Sequence, residues 1–275
     1  MQKSSTKNYG FTLIELSIVM VIIGLIIGGI LTGQALIHGA GVRATISQLK
    51  QYSTATNLFN MKYNAVPGDF NQATNYIAGY TGSNGDGNGL IGNWSSAAGQ
   101  CVTPYADCTD PQTNQTVEYA NYWAMLSLAG LVEANYGNGG SNSANTMTIG
   151  KDFPAIKMNS KVGYLAVGNS NDLVNYFELG VLGMFSNFSC NAAFFLNASD
   201  AYDMDNKIDD GIANTGFVVA RGLGGAGQCG WTTSSTLTTN CTSVAWTGTS
   251  TPNPYAKSSS TSSGPVCNLR VRILN

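Results

Sequence analysis

The sequence predicts an α+β chain: one long N-terminal helix packed on an antiparallel sheet that carries large loops. Three patterns support that expectation. Leu16 to Ile37 (LSIVMVIIGLIIGGILTGQALI) is a run of 22 residues without Asp, Glu, Lys or Arg, enough for a helix of about 33 Å, which matches the hydrocarbon core of a bilayer. From Val42 to Tyr63 apolar residues recur every three or four positions, the period of a helix with one buried face. Farther on, Val162 to Val167, Tyr176 to Leu182, Gly216 to Ala220 and Asn268 to Leu274 have the composition of strands.

At the N-terminus, residues 1–10 contain Lys3 and Lys7 and no acid. The positive-inside bias therefore keeps them cytoplasmic and sends the C-terminal bulk across the membrane. A secretory signal of the ordinary kind has a shorter apolar region with a small-residue cleavage site behind it. Here the apolar segment is longer, and the small residue at a boundary, Gly10, stands in front of it. Cutting there would leave the span attached. Glu15 lies five residues after Gly10, at the head of the apolar helix. At bilayer depth an unpartnered carboxylate costs about 2.5–3.5 kcal/mol, so Glu15 either sits among headgroups and water or meets a positive partner.

The stretch GFTLIELSIVMVIIGLI, beginning at Gly10, resembles the class III signal of type IV prepilins and of the pseudopilins of type II secretion, over residues 10 to about 36. The resemblance implies cleavage by a prepilin peptidase after Gly10 and N-methylation of the new terminal Phe11. It also implies an assembly role for Glu15, whose carboxylate would neutralise the α-amine of a neighbouring subunit in a filament. The implied fold is type IV pilin-like: a leader 1–10, an N-terminal helix 11–63 with a transmembrane or filament-core part 11–37, and an extracytoplasmic head 64–275. Gly24-xxx-Gly28 and Gly29-xxx-Gly33 are spacings that let helices approach closely, although glycine is also common in membrane spans generally. Many major pilins carry a proline in this segment. This chain has none before Pro67, and Gly28, Gly29 and Gly33 are the positions that could loosen the helix instead.

Beyond the membrane the stripe Val42, Ile46, Leu49, Tyr52, Ala55, Phe59 and Tyr63 should cover a sheet, with Arg43, Gln48, Lys50, Asn57 and Lys62 filling the other side. Pro67-Gly68 is expected to end the helix. Tyr119 to Val132 reads as a short helix, and 79–99, 137–146 and 232–264 as loops. In the last strand Leu269, Val271 and Ile273 alternate with Arg270 and Arg272, the pattern of a sheet with one wet face. The segments KYNAVPGDF, NGDGNGLIG, EYANYWAMLSLAGLVEANYG and DMDNKIDDGIANTGFVVA, in that order, resemble stretches of larger pilin-like proteins whose heads have no assigned enzymatic activity.

Charged residues make up only 10% of the chain, and the head is rich in Gly, Asn, Ser and Thr, as in secreted, loop-rich β structure. No basic footprint for nucleic acid is present. The one histidine, His38, falls at the edge of the apolar helix, so the head has no Ser-His-Asp or Cys-His arrangement and no histidine-based metal site. Asp209 and Asp210 are adjacent, and neighbours in sequence seldom converge on one glycosidic bond. Gly222 to Gly227 (GLGGAG) lacks the lysine of a nucleotide loop. The chain reads as a non-enzyme.

Cys101, Cys108, Cys190, Cys229, Cys241 and Cys267 all fall in the exported part, which makes disulfides the expectation. A short loop favours Cys101 with Cys108, and Cys267 with Cys241 or Cys229 would staple the 232–264 excursion. Pilins resemble this in closing a C-terminal loop with a late cysteine pair.

Asn84, Asp86 and Asn88 alternate through a glycine-rich run to Leu90, like the first half of an EF-hand-type loop in which Leu90 would offer its carbonyl to calcium. The twelfth position is Ser95, so a distant acid such as Glu118 would have to complete the shell. The other reading is a surface turn whose Asn and Asp side chains bond their own backbone. Asp203, Asp205, Asp209 and Asp210 form a second oxygen cluster. Lys207 inside it and the Asp210-Gly211 turn favour a structural reading there.

The functional expectation is a filament subunit that meets a prepilin peptidase, the bacterial inner membrane and other pilin or pseudopilin subunits. The head would lie in the periplasm before assembly. The rival expectation is a membrane-anchored extracytoplasmic adhesin or glycan-binding protein that uses the same N-terminus only as an anchor.

Overall fold

The structure is a computed structural model that describes residues 12–92, 118–137, 148–169, 173–181, 195–221, 241, 254–255 and 267–273. Helix α1 runs over Leu13–Tyr63, and the chain divides into two units, Met1–Arg43 and Ala44–Asn275.

In the first unit the helix has no core of its own. Its large apolar side chains from Leu13 to Ile37 are exposed, from 45% at Ile23 to 89% at Leu13. Among the described residues α1 is the only helix long and apolar enough to cross a membrane, with a mean hydropathy of 2.7 over its most apolar window.

In the second unit the amphipathic stripe behaves as expected from Ile46 to Phe59. Ile46, Leu49, Tyr52, Ala55 and Phe59 are all buried. Tyr52 sits edge-on to Trp123 at 4.7 Å and to Tyr164 at 5.4 Å, and Trp123 stacks on Phe177 at 5.8 Å. Gln48, expected on the wet side, is buried instead. Its Nε2 donates to the Ala155 carbonyl at 2.9 Å, and its Oε1 accepts from Lys157 N–H at 3.1 Å and from Tyr164 OH at 3.1 Å. The cause is the turn between the first two strands, whose backbone groups lie under the helix and need polar partners there. The helix ends at Asn64, whose φ of 50° leaves the right-handed region. Pro67-Gly68 belong to the next turn. Gly68 has φ 87°, and a Cβ there would lie 2.5 Å from the Glu118 carbonyl oxygen.

After the short α2 (Ala73–Tyr76), α3 covers Glu118–Leu128, shorter than the expected Tyr119 to Val132. Gly130, with φ 74°, stops it: Leu131 N–H reaches back to the Leu126 carbonyl and Gly130 N–H to that of Ser127, the Schellman pattern of helix ends. Strands β1 (Ala155–Ile156), β2 (Asn159–Asn169), β3 (Val174–Val181), β4 (Val218–Arg221) and β5 (Asn268–Arg272) form an antiparallel sheet of order β1-β2-β3-β5-β4. Each of the four expected strands is present with shifted ends. Cys241 and Cys267 are joined by a disulfide, with Cα atoms 5.3 Å apart. Cys101, Cys108, Cys190 and Cys229 lie outside the described residues, as do most of the expected loops.

The sheet brings a further correction. β5 has no wet face where Arg270 stands: Asn268, Leu269, Arg270 and Val271 are all buried. β5 is an inner strand, between β3 and β4. In its register Arg270 lies opposite Glu178, with Nη2 3.6 Å from Oε2, and its guanidinium lies 4.8 Å from the centre of the Tyr176 ring. Charge pairing lets an arginine occupy the interior of the sheet. Helix α4 (Ala198–Ile208) is an element the sequence reading leaves unassigned, and it carries Asp203 and Asp205 of the oxygen cluster. Asn197 caps it, accepting from Asp200 N–H at 2.7 Å, and Ala198, Ala201, Met204 and Asp205 form its buried face. The spacing of those residues fits a helix, but Asp205 breaks the apolar pattern.

Candidate functional site

The sequence motif at the N-terminus converges on Thr12 and Glu15. Gly10 and Phe11 lie outside the described residues. Thr12 N–H and Thr12 Oγ1–H both donate to Glu15 Oε2, at 2.7 and 2.8 Å, and Glu15 N–H returns to Thr12 Oγ1 at 3.3 Å. This is a capping box: the hydroxyl residue before the first turn and the acid three positions later satisfy one another's backbone groups. Thr12-Leu13-Ile14-Glu15 carries that signature in plain sequence. Oε1 makes no hydrogen bond among the described residues, so one oxygen remains for a partner outside the helix.

A second constellation stands in the head. The glycine-rich loop places Asp86 beside Glu118, and a third acid joins them, so that carboxylate oxygens of Asp69, Asp86 and Glu118 lie within 4.8 Å of one another. Asp69 was not foreseen. It belongs to the Val-Pro-Gly-Asp turn, 17 residues before Asp86, and only folding brings the two together. The loop wraps its N–H groups around the buried acids. Gly87, Asn88 and Gly89 donate to the Asp69 carboxylate at 2.7, 3.1 and 2.7 Å. Asp86 and Gly92 donate to the two Glu118 oxygens at 2.9 and 2.7 Å. Gly85 is required by close approach, because a Cβ there would meet the Asp69 backbone at 2.3 Å.

Burial outweighs these donors. It pushes Glu118 up to about 7 and Asp69 up to about 6, with the adjacent Asp86 charge adding to both. The trio could offer three hard oxygens of the kind calcium takes. The asparagines expected in that shell are engaged in the loop instead: Asn84 Oδ1 accepts from Thr74 N–H at 3.0 Å and Asn88 Oδ1 from Leu90 N–H at 2.7 Å. An acidic cluster alone does not make a cation site.

In the other cluster, Asp203 lies on α4. Asp205, Asp209 and Asp210 do converge, yet each serves the fold. Asp205 accepts from Tyr255 OH at 2.8 Å, Asp209 from Phe217 N–H, and Asp210 from Ile212 N–H at 2.8 Å and Thr215 OH at 2.7 Å.

Compared with known proteins, residues 5–31 match the family described as the prokaryotic N-terminal methylation motif. No curated protein and no solved structure matches the chain. The matched segment contains Gly10, Phe11, Thr12 and Glu15 and the exposed apolar helix as far as Leu31. Such a motif points to a structural subunit and not to an enzyme. Motif, apolar helix and antiparallel sheet together identify a chain with the N-terminal signal of type IV prepilins and pseudopilins on an α+β, pilin-like fold.

Proposed function

We propose that this chain is a structural subunit of a type IV pilus or of a type II secretion pseudopilus. Prepilin peptidase cuts after Gly10 and Phe11 becomes the methylated N-terminus. The subunit waits in the inner membrane, with residues 64–275 in the periplasm, and then enters a filament through packing of its N-terminal helix. The observation that carries this reading is the methylation motif set on a helix whose large apolar side chains are exposed from Leu13 to Ile37. Such a surface needs lipid around it or like helices against it. Glu15 supplies the register. Its carboxylate is the only charge in α1 before Arg43, and it becomes cheap to bury when a neighbour's new α-amine meets it.

Intact mass of the exported protein tests the processing step. Wild type should lack residues 1–10 and carry one methyl group, while a Gly10→Val chain should keep its leader. Glu15→Ala should be cut and inserted normally yet be absent from sheared filaments. Incorporation of that variant at the wild-type level would sink the proposal and favour an anchor without assembly.

A further inference from the structure

A cleft of about 600 Å³ opens in the head where α1 ends and the α2 segment begins. Its walls combine two kinds of chemistry. Three rings follow one another along it: Tyr63 and Phe70 at 5.6 Å and 36°, then Phe70 and Tyr76 at 6.0 Å and 39°. Phe70 is buried as the base, and Tyr76 is 62% exposed. Lys62 occupies one side of the Tyr63 ring at 4.9 Å, which leaves Tyr76 as the open platform. Beside the rings stand the side-chain amides of Asn64, Asn71 and Gln72, all exposed. None of the three is committed to a side-chain hydrogen bond among the described residues.

We propose that this cleft binds a neutral saccharide. A pyranose has one face of polarised C–H groups, which sits on the electron-rich face of an aromatic ring, and a rim of hydroxyls that both donate and accept. Each amide offers a carbonyl acceptor and two N–H donors, the complement of that rim. Centroid steps of 5.6 and 6.0 Å are close to the length of one sugar residue. The volume lies in the range of small-ligand sites. The buried Asp69 carboxylate turns toward the backbone N–H groups of residues 87 to 89, so it places no free anion against a sugar; the amides carry no charge, and the Lys62 ammonium, the lining's one cation among the described residues, lies over the Tyr63 ring. The assembly reading rests on Glu15 and the apolar part of the N-terminal helix and on none of these residues, so the site and that reading are tested separately.

The test is titration calorimetry of the full mature chain, solubilised in a detergent without a sugar headgroup, with cellotriose, chitotriose and maltotriose as probes. At least one probe should bind with Kd near or below about 1 mM. Tyr76→Ala and a Asn71→Ala/Gln72→Ala pair should each weaken it about tenfold or more without changing the melting temperature, since the three side chains are exposed. Glu15→Ala should bind like wild type. The proposal is overturned by failure of all three probes to bind at about ten times that concentration, or by wild-type affinity in the Tyr76→Ala chain. It is equally overturned if Tyr76→Ala blocks filament incorporation while no probe binds, because the cleft is then a contact between protein subunits.

Discussion

Glu15 Oε2 accepts both the N–H and the hydroxyl of Thr12, so the carboxylate proposed to meet a neighbouring subunit also caps its own helix. The two roles separate by charge. Glu15→Gln retains an acceptor for Thr12 and loses the negative charge. Charge neutralisation during assembly requires Glu15→Gln to be excluded from sheared filaments as fully as Glu15→Ala. Thr12→Val removes a cap worth about 1 kcal/mol and leaves the charge, so it should reduce incorporation only modestly on immunoblots of the sheared fraction. Wild-type assembly by Glu15→Gln would leave helix capping as the residue's sole task.

In the head, Asp86 is the exposed member of a carboxylate trio whose other members are buried. Its charge raises both Asp69 and Glu118. In chelating buffer, Asp86→Asn should therefore stabilise the head by a few tenths to about 1 kcal/mol, read as a higher melting temperature. Repeating the melt in calcium reports on the ion directly, since a cation site that loses a ligand would reverse the sign. Glu118→Ala strips acceptors from Asp86 N–H and Gly92 N–H and should cost about 2–4 kcal/mol.

Asp205 is fully buried on α4. Tyr255 OH donates to Oδ2 at 2.8 Å and Gly211 N–H to Oδ1 at 3.2 Å, while Asp209 and Asp210 stand near. Burial, reinforced by those two charges, pushes Asp205 up to about 7 from an ordinary 3.8. Between about 4 and 7 the folded state holds a proton that the unfolded chain has released, so its stability declines as pH rises through that window. Asp69 and Glu118 tilt the same way. The melting temperature in chelator should be higher at pH 5 than at pH 8, with a shallower slope in Asp205→Asn. An unchanged slope in that variant would exclude Asp205 as a source.

Glu178 and Arg270 face one another on β3 and β5 with both side chains nearly sealed from solvent. Truncating one member strands the other. Glu178→Ala should destabilise the head by about 3–5 kcal/mol, and replacing the pair together by well-packed apolar residues should cost far less. Chemical denaturation of the single and double variants measures the difference.

The long helix was legible because its two signals are local. An uninterrupted apolar run and a three-to-four period need only neighbouring residues, and the stripe from Ile46 to Phe59 is buried as its spacing required. The strands were legible for the same reason. Thr12 was within reach too, since Thr-x-x-Glu is written in four consecutive positions. Gln48 and Arg270 were misplaced because their type said solvent, while β1–β2 backbone groups in one case and Glu178 in the other supplied partners from distant sequence. Helix α4 was missed because Asp205 interrupts its apolar face, and Tyr255, 50 residues later, is what makes that aspartate tolerable.

The amino-acid order by itself determined the N-terminal signal, the apolar helix and the identity of the one carboxylate at its head, because each depends on composition and spacing along a single segment. Only the tertiary structure decided that Asp69 joins Asp86 and Glu118, that Arg270 is interior, and that Tyr63, Phe70 and Tyr76 line one cleft. Those arrangements depend on which distant backbone and side-chain groups satisfy one another once water is excluded, and no local pattern encodes that.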